Sequence, residues 1–537
     1  MIKNITVNNV RVFDGRDFRF ELAPLSIFCG TNSSGKSTIV KTLLLLRQSQ
    51  GSNELYGKEQ GRLRFVGPQV DLGDYSTFVS HNDTRKNIHI AITIENKMPK
   101  EMYLSFLKVH GIEADKTKIG EMVVYTLECR FVFTSSLKDN LITDDFMRPK
   151  VTGEEDEDSQ EAPVKGILIS ADYRMNVKKD TLATWKVRLV ESKEEKGGLF
   201  YQLRVPKKEF VLGESPKGYY SKQLVDVKTT IIGQVTLDGL LPYRFMVSSK
   251  TTPSSRRVRE LPVPFYMFAC LEDLKDELSG INYLGPLRTP AERYYITTFD
   301  INPDLDATGK FLPYVLGNIV EEPKVVNVSP GEKTSDTESL STALSKWLRY
   351  FRTGDTNKGL RNRNEIRTNT FKGVLVELAI KSIVEGDIYP LADSGFGYSQ
   401  VLPIIVKGLL LKPGRTLIVE QPELHLNPSL QVRLAEFFVA MIHAGKHIII
   451  ETHSEHIVNT VRVLAAEDVS GDIATTAEIF YFDIKQGVPF IHKLSIKPDG
   501  SVPEWPINFF GEAASLTGRL LRAQKQRRNN KEKERGG

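Results

Sequence analysis

An α/β fold built on a parallel sheet, with its two halves far apart in the chain, is what this sequence predicts. Three observations predict it. The stretch "GTNSSGKS", Gly30 to Ser37, lies between a strand-like alternation and an apolar helical run. From Lys372 onward the chain reads strand, Gly-rich turn, helix, buried strand, helix, strand, the order of a parallel sheet with crossover helices. Between these parts, from about Lys97 to Gly280, short β-like runs alternate with charged turns.

The elements follow in order. "ITVNNVRVF" alternates as a strand, turns at Asp14-Gly15, and alternates again through "FRFELAPLSIFCG" into the Gly-rich loop. The helix "KSTIVKTLLLLRQS" comes next, with a broad apolar face. Runs such as "MVVYTLECRFVFT" and "TWKVRLVE" make the middle segment β-rich, and "EEDEDS" and "TTPSSRRVR" read as exposed loops within it. A mixed, mostly helical region follows "INYLGPLRTPAERYY". The expected organisation is an N-terminal part over 1–95, a β-rich insertion over 96–280, a C-terminal part over 281–512 and a basic flexible tail over 513–537.

Bulk properties narrow the class. A chain of 537 residues with 40% apolar and 26% charged residues has the composition of a soluble globular protein of several structural units. No window approaches a membrane span, and "MIKNITVNNVRVF" lacks the apolar core of a signal peptide. Cys29, Cys129 and Cys270 share no metal-ligand spacing, which fits a reducing cytoplasm, and Cys29 reads as a buried small hydrophobe. Between Arg519 and Arg535 eight Lys/Arg face only Glu532 and Glu534, so the tail supplies the whole net charge of +5 and the body is near neutral. Such a tail either stays solvated or touches nucleic acid or an acidic partner.

Gly30–Ser37 fits G-x-x-x-x-G-K-[ST] without mismatch, in the strand–loop–helix context that gives the motif its meaning. Gly30 and Gly35 allow backbone geometry that turns successive N–H groups inward. Thr31, Asn32, Ser33 and Ser34 supply the loop, and Thr38 continues the first helical turn. Lys36 is expected to reach the β- and γ-phosphates of ATP, and Ser37 to ligate Mg²⁺. Downstream, "RTLIVEQPE" is an apolar strand ending in Glu420, the place of a Walker B acid. Before it lies the Gly-rich turn from Ser394 to Gln400; after it "KHIIIETHSEHI" is a buried strand ending in Thr452-His453-Ser454.

In order and spacing these motifs resemble an ATP-binding-cassette plan. The chain resembles ABC-type ATPase heads of the branch that includes RecF, SMC and overcoming-lysogenization-defect proteins. "GPQVDLGDYSTF", "YLGPLR", "GFGYSQVLP", "EQPELHLNP", "ETHSEH" and "EWPINFF" carry the resemblance, over roughly 1–95 and 281–512. It implies an ABC-type P-loop ATPase head that dimerises across ATP. Ser394, Gly395, Gly397, Ser399 and Gln400 would then stand where the signature turn meets the γ-phosphate of the opposite protomer, although "GFGYSQ" departs from L-S-G-G-Q. His453 would be the switch histidine, and Gln69 or Asp71 would lie in the region that reaches toward the metal.

Glu420 would hold Mg²⁺ partly through water. The next position, where the cassette has a second acid, is Gln421. An amide cannot act as a general base but can orient a water. Glu423, past Pro422, is either the acid that returns to the site or a surface carboxylate at the start of the next helix. The amide at Gln421 predicts slow ATP hydrolysis, and the resemblance implies a homodimer. No nuclease motif, catalytic triad or Cys/His cluster emerges, so action through a separate effector is expected, as in ATPase subunits of bacterial antiphage defence systems. The alternative is a DNA-repair or chromosome-maintenance ATPase binding DNA on its dimer surface.

Overall fold

The computed structural model describes residues 1–50, 60–109, 119–137, 164–191, 199–206, 230–252, 255–261, 263, 265–296, 306–317, 323–355, 366–371, 375–381, 388–394, 396–503, 505–506, 519–520 and 522–524. Most of the expected tail, and Gly395 of the Gly-rich turn, lie outside them.

A parallel sheet draws its strands from both ends of the chain. Its members are β3 (Leu25–Gly30), β13 (Ile281–Leu284), β20 (Thr416–Glu420), β21 (His447–Glu451), β22 (Ala477–Lys485) and β23 (Val488–Ser495). The order is β13-β20-β21-β3-β22-β23, parallel as far as β22, with β23 antiparallel at the edge. The phosphate-loop strand is thus paired on both sides by strands more than 400 residues away, as the split α/β reading expects. One strand, β21, separates it from β20, and the register sets Glu420 beside Glu451 at their C-terminal ends.

The second large sheet is antiparallel. It contains β1 (Ile2–Asn8), β2 (Phe18–Glu21), β4 (Arg62–Leu63), β5 (Ile88–Pro99), β6 (Met122–Thr134), β7 (Gly166–Val177) and β8 (Asp180–Glu191). It continues through β9 (Leu199–Pro206), β10 (Thr230–Asp238), β11 (Leu241–Thr252) and β12 (Ser255–Leu261). From β5 to β12 each strand pairs with the next in sequence, a plain meander. The position drawn from sequence at 95/96 falls inside β5, which pairs with β1 on one side and β6 on the other. The middle segment therefore extends a sheet that the N-terminal strands begin. Two small sheets complete the strands: β14 (Tyr295–Ile296) with β17 (Ile366–Phe371), β18 (Leu375–Lys381) and β19 (Ile388–Pro390), and the hairpin β15 (Lys324–Asn327) with β16 (Asp336–Ser339).

The helices are α1 (Lys36–Gln48), α2 (Tyr75–Phe78), α3 (Lys100–Val109), α4 (Phe265–Ser279) and α5 (Leu312–Gly317), then α6 (Leu340–Thr353), α7 (Phe396–Leu410), α8 (Pro428–His443), α9 (Glu455–Glu467) and α10 (Asp472–Thr476). Helix α1 packs between the two large sheets, which is why eleven of its thirteen residues are buried. The parallel strands alternate accordingly. Phe28, Ile418 and Ile449 join the core with α1 and the antiparallel sheet; Ile27, Val419 and Ile450 join a second core with α6 to α9. Three layers thereby hold the C-terminal ends of β3, β21 and β20 side by side, where open α/β sheets bind ligands. Among the described residues no helix is long and apolar enough to cross a membrane.

Candidate nucleotide site

Between β3 and α1 the backbone passes through three left-handed residues, Gly30 at φ 122°, Ser33 at φ 60° and Gly35 at φ 103°. Mixed left- and right-handed residues turn N–H groups toward a common centre, an anion-binding concavity. The two glycines are also required by packing. A Cβ on Gly30 would lie 2.0 Å from the Phe482 carbonyl oxygen, and one on Gly35 would lie 2.5 Å from the Phe13 ring. The Thr31 N–H donates to that Phe482 oxygen at 3.0 Å, and the Ser34 hydroxyl donates to the Thr31 oxygen at 2.6 Å. Thr31, Asn32 and Ser33 are exposed at the mouth. Gly35 caps α1 without any side-chain bond and no acid stands in the first turn, so the helix end keeps its donors for an anion. Thr38 is buried, its N–H donating to Gly35 at 3.0 Å.

Lys36 Nζ folds into this concavity, donating to the Thr31 oxygen at 2.6 Å and to the Gly30 oxygen at 3.3 Å. Burial lowers its pKa, opposed by the nearby Glu451 carboxylate. Burial pushes the thiol pKa of Cys29 well up, the behaviour of an inert small hydrophobe.

The Ser37 hydroxyl donates to Glu451 Oε1 at 2.7 Å. Glu451, which the sequence reading passed over, ends β21, the strand between the phosphate loop and Glu420, and so reaches α1 first. Glu420 instead accepts from the Tyr283 hydroxyl at 2.9 Å, while Arg288 Nη2 donates to the Glu420 backbone oxygen at 2.8 Å. Burial, and then Glu451, push the Glu420 carboxyl up to about 7; burial also raises Glu451. Arg288 is 5% exposed, and burial pushes it down to about 10. It therefore remains a cation, with Nε and Nη1 unpartnered.

Gln421 leaves β20 in the left-handed region, at φ 44°, while its N–H donates to the Glu451 backbone oxygen at 2.7 Å. A non-glycine residue held there stores local strain, which the surrounding ladder maintains. Each Glu423 oxygen accepts one bond: Oε2 from the Thr452 hydroxyl at 2.8 Å and Oε1 from the His453 N–H at 2.7 Å. The start of α8 is capped by Asn427, whose side chain accepts the Leu430 N–H at 2.9 Å, so Glu423 is not a helix-start carboxylate. It ties the turn after β20 to the loop after β21. His453 is exposed; partial burial, then Lys36, lower its pKa, opposed by Glu423.

Two other groups named from sequence stand elsewhere. The hairpin bearing Gln69 and Asp71 is clamped by Gln48, whose amide nitrogen donates to the Val70 oxygen at 3.2 Å. Gln48 lies at the far end of α1 from Ser37, about 16 Å along the helix. Asp71 is exposed and accepts the Gly73 N–H at 3.0 Å, while Gln69 is buried with both amide atoms unpartnered. The clamp holds the segment that bears both residues at the Gln48 end of α1. The Gly-rich turn opens α7 on the other face of the parallel sheet. Ser394 bonds back to the Leu391 oxygen at 2.7 Å, Gly397 packs near the His425 backbone, and Ser399 and Gln400 are buried.

This donor set suits Mg²⁺ with a nucleotide. Among the described residues no group of three His, Cys, Asp or Glu side chains could hold a metal unaided. One hydroxyl and one or two carboxylates are what a hard ion needs when phosphate and water complete its shell. The family model of the AAA ATPase domain matches residues 1–202 and 317–458, well over half of the chain.

The chain belongs to the AAA ATPase domain family.

No match was found among curated proteins. Solved structures similar to this AAA ATPase are SMC heads. One is the SMC head bound to the C-winged helix domain of ScpA, at 11% identity and TM-score 0.35, covering 92% of this chain and 98% of that one. Another is the SMC head domain from Thermotoga maritima, at 9% identity and TM-score 0.33, covering 91% and 98%. A third is the Pyrococcus furiosus-derived SMC head with an extended coiled coil and the C-terminal domain of ScpA, at 11% identity and TM-score 0.32, covering 92% and 96%. These likenesses are low, and the family assignment rests on the domain match.

Lys36→Ala should weaken ATP binding about 10- to 100-fold, the loss expected when a charged hydrogen-bonding partner is removed. Titration with a fluorescent ATP analogue checks this, and unchanged affinity would remove Lys36 from the phosphate site. A second expectation concerns pH. The Glu420 pKa, raised to about 7 from an ordinary 4.5, makes the folded state hold a proton that the unfolded state releases. That stabilisation is full below pH 4.5 and lost as pH rises through about 7. Glu420→Gln cannot ionise, so its melting temperature relative to the parent should climb from pH 5 to pH 8 without nucleotide or metal. A difference that stays flat or falls would contradict the buried acid.

Proposed function

We propose that the chain binds ATP with Mg²⁺ at Gly30–Thr38 and hydrolyses it slowly, and that it closes as a homodimer across the nucleotide to gate a separate effector in bacterial antiphage defence. The observation that carries the nucleotide reading is an uncapped helix start where Lys36 folds over the loop oxygens and Ser37 donates to Glu451, the acid in register with Glu420. Lys36 and the loop N–H groups hold the phosphates; Ser37 and Glu420 hold the ion, which when bound offsets phosphate charge. Tyr283 and Arg288 fix the end of β20.

The slowness follows from Gln421. Its amide orients the attacking water, and Glu423, two residues on, polarises it. Because Glu423 also holds the His453 N–H, the acid and the switch histidine move as one piece. Phosphoryl transfer depends mainly on positioning and charge stabilisation, so an amide at the usual base position lowers the rate without abolishing it. Dimer closure brings the partner's Ser394–Gln400 turn to the γ-phosphate. Ser399 is buried within one protomer, so the contact falls to the backbone at the start of α7. The effector role is supported by the resemblance of the flanking motifs to defence ATPase subunits.

Turnover and sizing chromatography with ATP and Mg²⁺ test this reading on the full chain. Glu423→Gln should lose about 10²-fold or more in rate and accumulate an ATP-bound dimer, whereas Gln421→Glu should match or exceed the parent. If Glu423→Gln turns over at the parental rate and stays monomeric with ATP, the base and the closed dimer are both wrong.

A further inference from the structure

Glu451 has no ligand role in the nucleotide reading above. It lies at the end of the strand that touches the phosphate-loop strand directly, whereas Glu420 lies one strand further out. Oε1 accepts the Ser37 hydroxyl at 2.7 Å, and Ser37 is the phosphate-loop residue whose oxygen takes the metal. The residue is 4% exposed, yet Oε2 is buried without any hydrogen-bond partner. Lys36, Lys41 and Glu423 all lie within electrostatic reach.

A purely structural acid would account for only half of this. Anchoring Ser37 needs one acceptor oxygen, which a neutral glutamine or serine supplies without burying a charge. Keeping a carboxylate here, beside Glu420 in register, carries the cost of two adjacent buried acids and leaves one oxygen unsatisfied. A divalent cation removes both penalties, since Mg²⁺ takes oxygen ligands and keeps waters that donate to nearby carboxylates. Strand β20 supplies one acid and an amide, Glu420 and Gln421. Strand β21 adds the second acid at the same level of the sheet.

We propose that Glu451 is a second carboxylate for the magnesium ion that Ser37 would take, acting together with Glu420. This rests on the reading that Gly30–Thr38 binds ATP with Mg²⁺. Glu451 thus occupies the place next to the phosphate-loop hydroxyl that the order of motifs alone assigns to Glu420.

The experiment is equilibrium binding of a fluorescent ATP analogue to the full-length protein, in EDTA and across a Mg²⁺ series, followed by electron paramagnetic resonance with Mn²⁺ in place of Mg²⁺. The unmodified protein should gain affinity as Mg²⁺ is added. Glu451→Gln preserves shape and an acceptor for Ser37 and removes negative charge near the phosphates, so its affinity in EDTA should equal or exceed the parent's. Its Mg²⁺ half-saturation should rise about 10- to 100-fold, the loss typical of removing a group that orients metal ligands, and its bound Mn²⁺ signal should weaken in step. Glu451→Asp keeps the charge one methylene short and should shift half-saturation in the same direction by less. It decides the matter if the glutamine variant does not fold. Parental Mg²⁺ dependence in either folded variant overturns the inference while leaving the nucleotide site intact. An unmodified protein that binds no ATP overturns the nucleotide reading itself, and Glu451's role with it.

Discussion

Two buried glutamates facing each other across adjacent parallel strands are the constraint on which the rest of the site depends. Pairing Glu420 with Glu451 at the C-terminal edge of the sheet concentrates negative charge where neither water nor distance relieves it. Each neighbouring cation and donor can be read as a response to that charge. Tyr283 donates to one acid and Ser37 to the other, while Lys36, Lys41 and Arg288 lie within electrostatic reach. The acids make the edge of the sheet want a cation, and the phosphate loop beside them makes the next layer want an anion. Juxtaposed, these demands match a metal–nucleotide pair better than either component alone.

Rigidity around this edge comes from layering. Helix α1 carries Lys36 and Ser37 and is packed by sheets on both flanks, so its first turn cannot drift from β3. Glu423 links the turns after β20 and β21, Gln421 adds a backbone bond to Glu451, and the Thr452 N–H donates to the Phe28 oxygen of β3 at 2.9 Å, so three consecutive strand ends behave as one body. Helix α7 is joined to the same edge from the opposite face, because buried Lys407 donates to the Tyr283 backbone oxygen at 2.9 Å and Tyr283 in turn holds Glu420. Movement of the Gly-rich turn at the start of α7 thus has a covalent and hydrogen-bonded route to the acid.

The phosphate loop was legible in the sequence because its chemistry needs contiguous residues: glycines for the turn, then Lys36 and Ser37 on the first helical turn. The split parallel sheet was legible too, since buried strands such as "TLIVE" and "HIIIE" show as apolar runs between helical patterns. Glu451 was not, although the same apolar-run-then-acid signal that marked Glu420 stands at its strand. The Thr-His-Ser that follows drew the reading to His453 instead. Tyr283 and Arg288 lie more than 130 residues from Glu420, and only the sheet order brings them together. Pairing of β5 with both β1 and β6 joins the middle segment to the N-terminal strands, a long-range ladder that local alternation does not encode. Gln69 and Asp71 were placed by motif order, but their side of the chain is decided by one clamp from Gln48.

The most direct measurement of the central claim is an experimental structure of the full chain with a non-hydrolysable ATP analogue and Mg²⁺. This account predicts the phosphates within the Gly30–Lys36 loop, the ion bonded to Ser37 Oγ, and the carboxylates of Glu451 and Glu420 on its protein side with Arg288 behind them. Nucleotide bound away from the loop, or an ion at Ser37 with both glutamates turned from it, would contradict it.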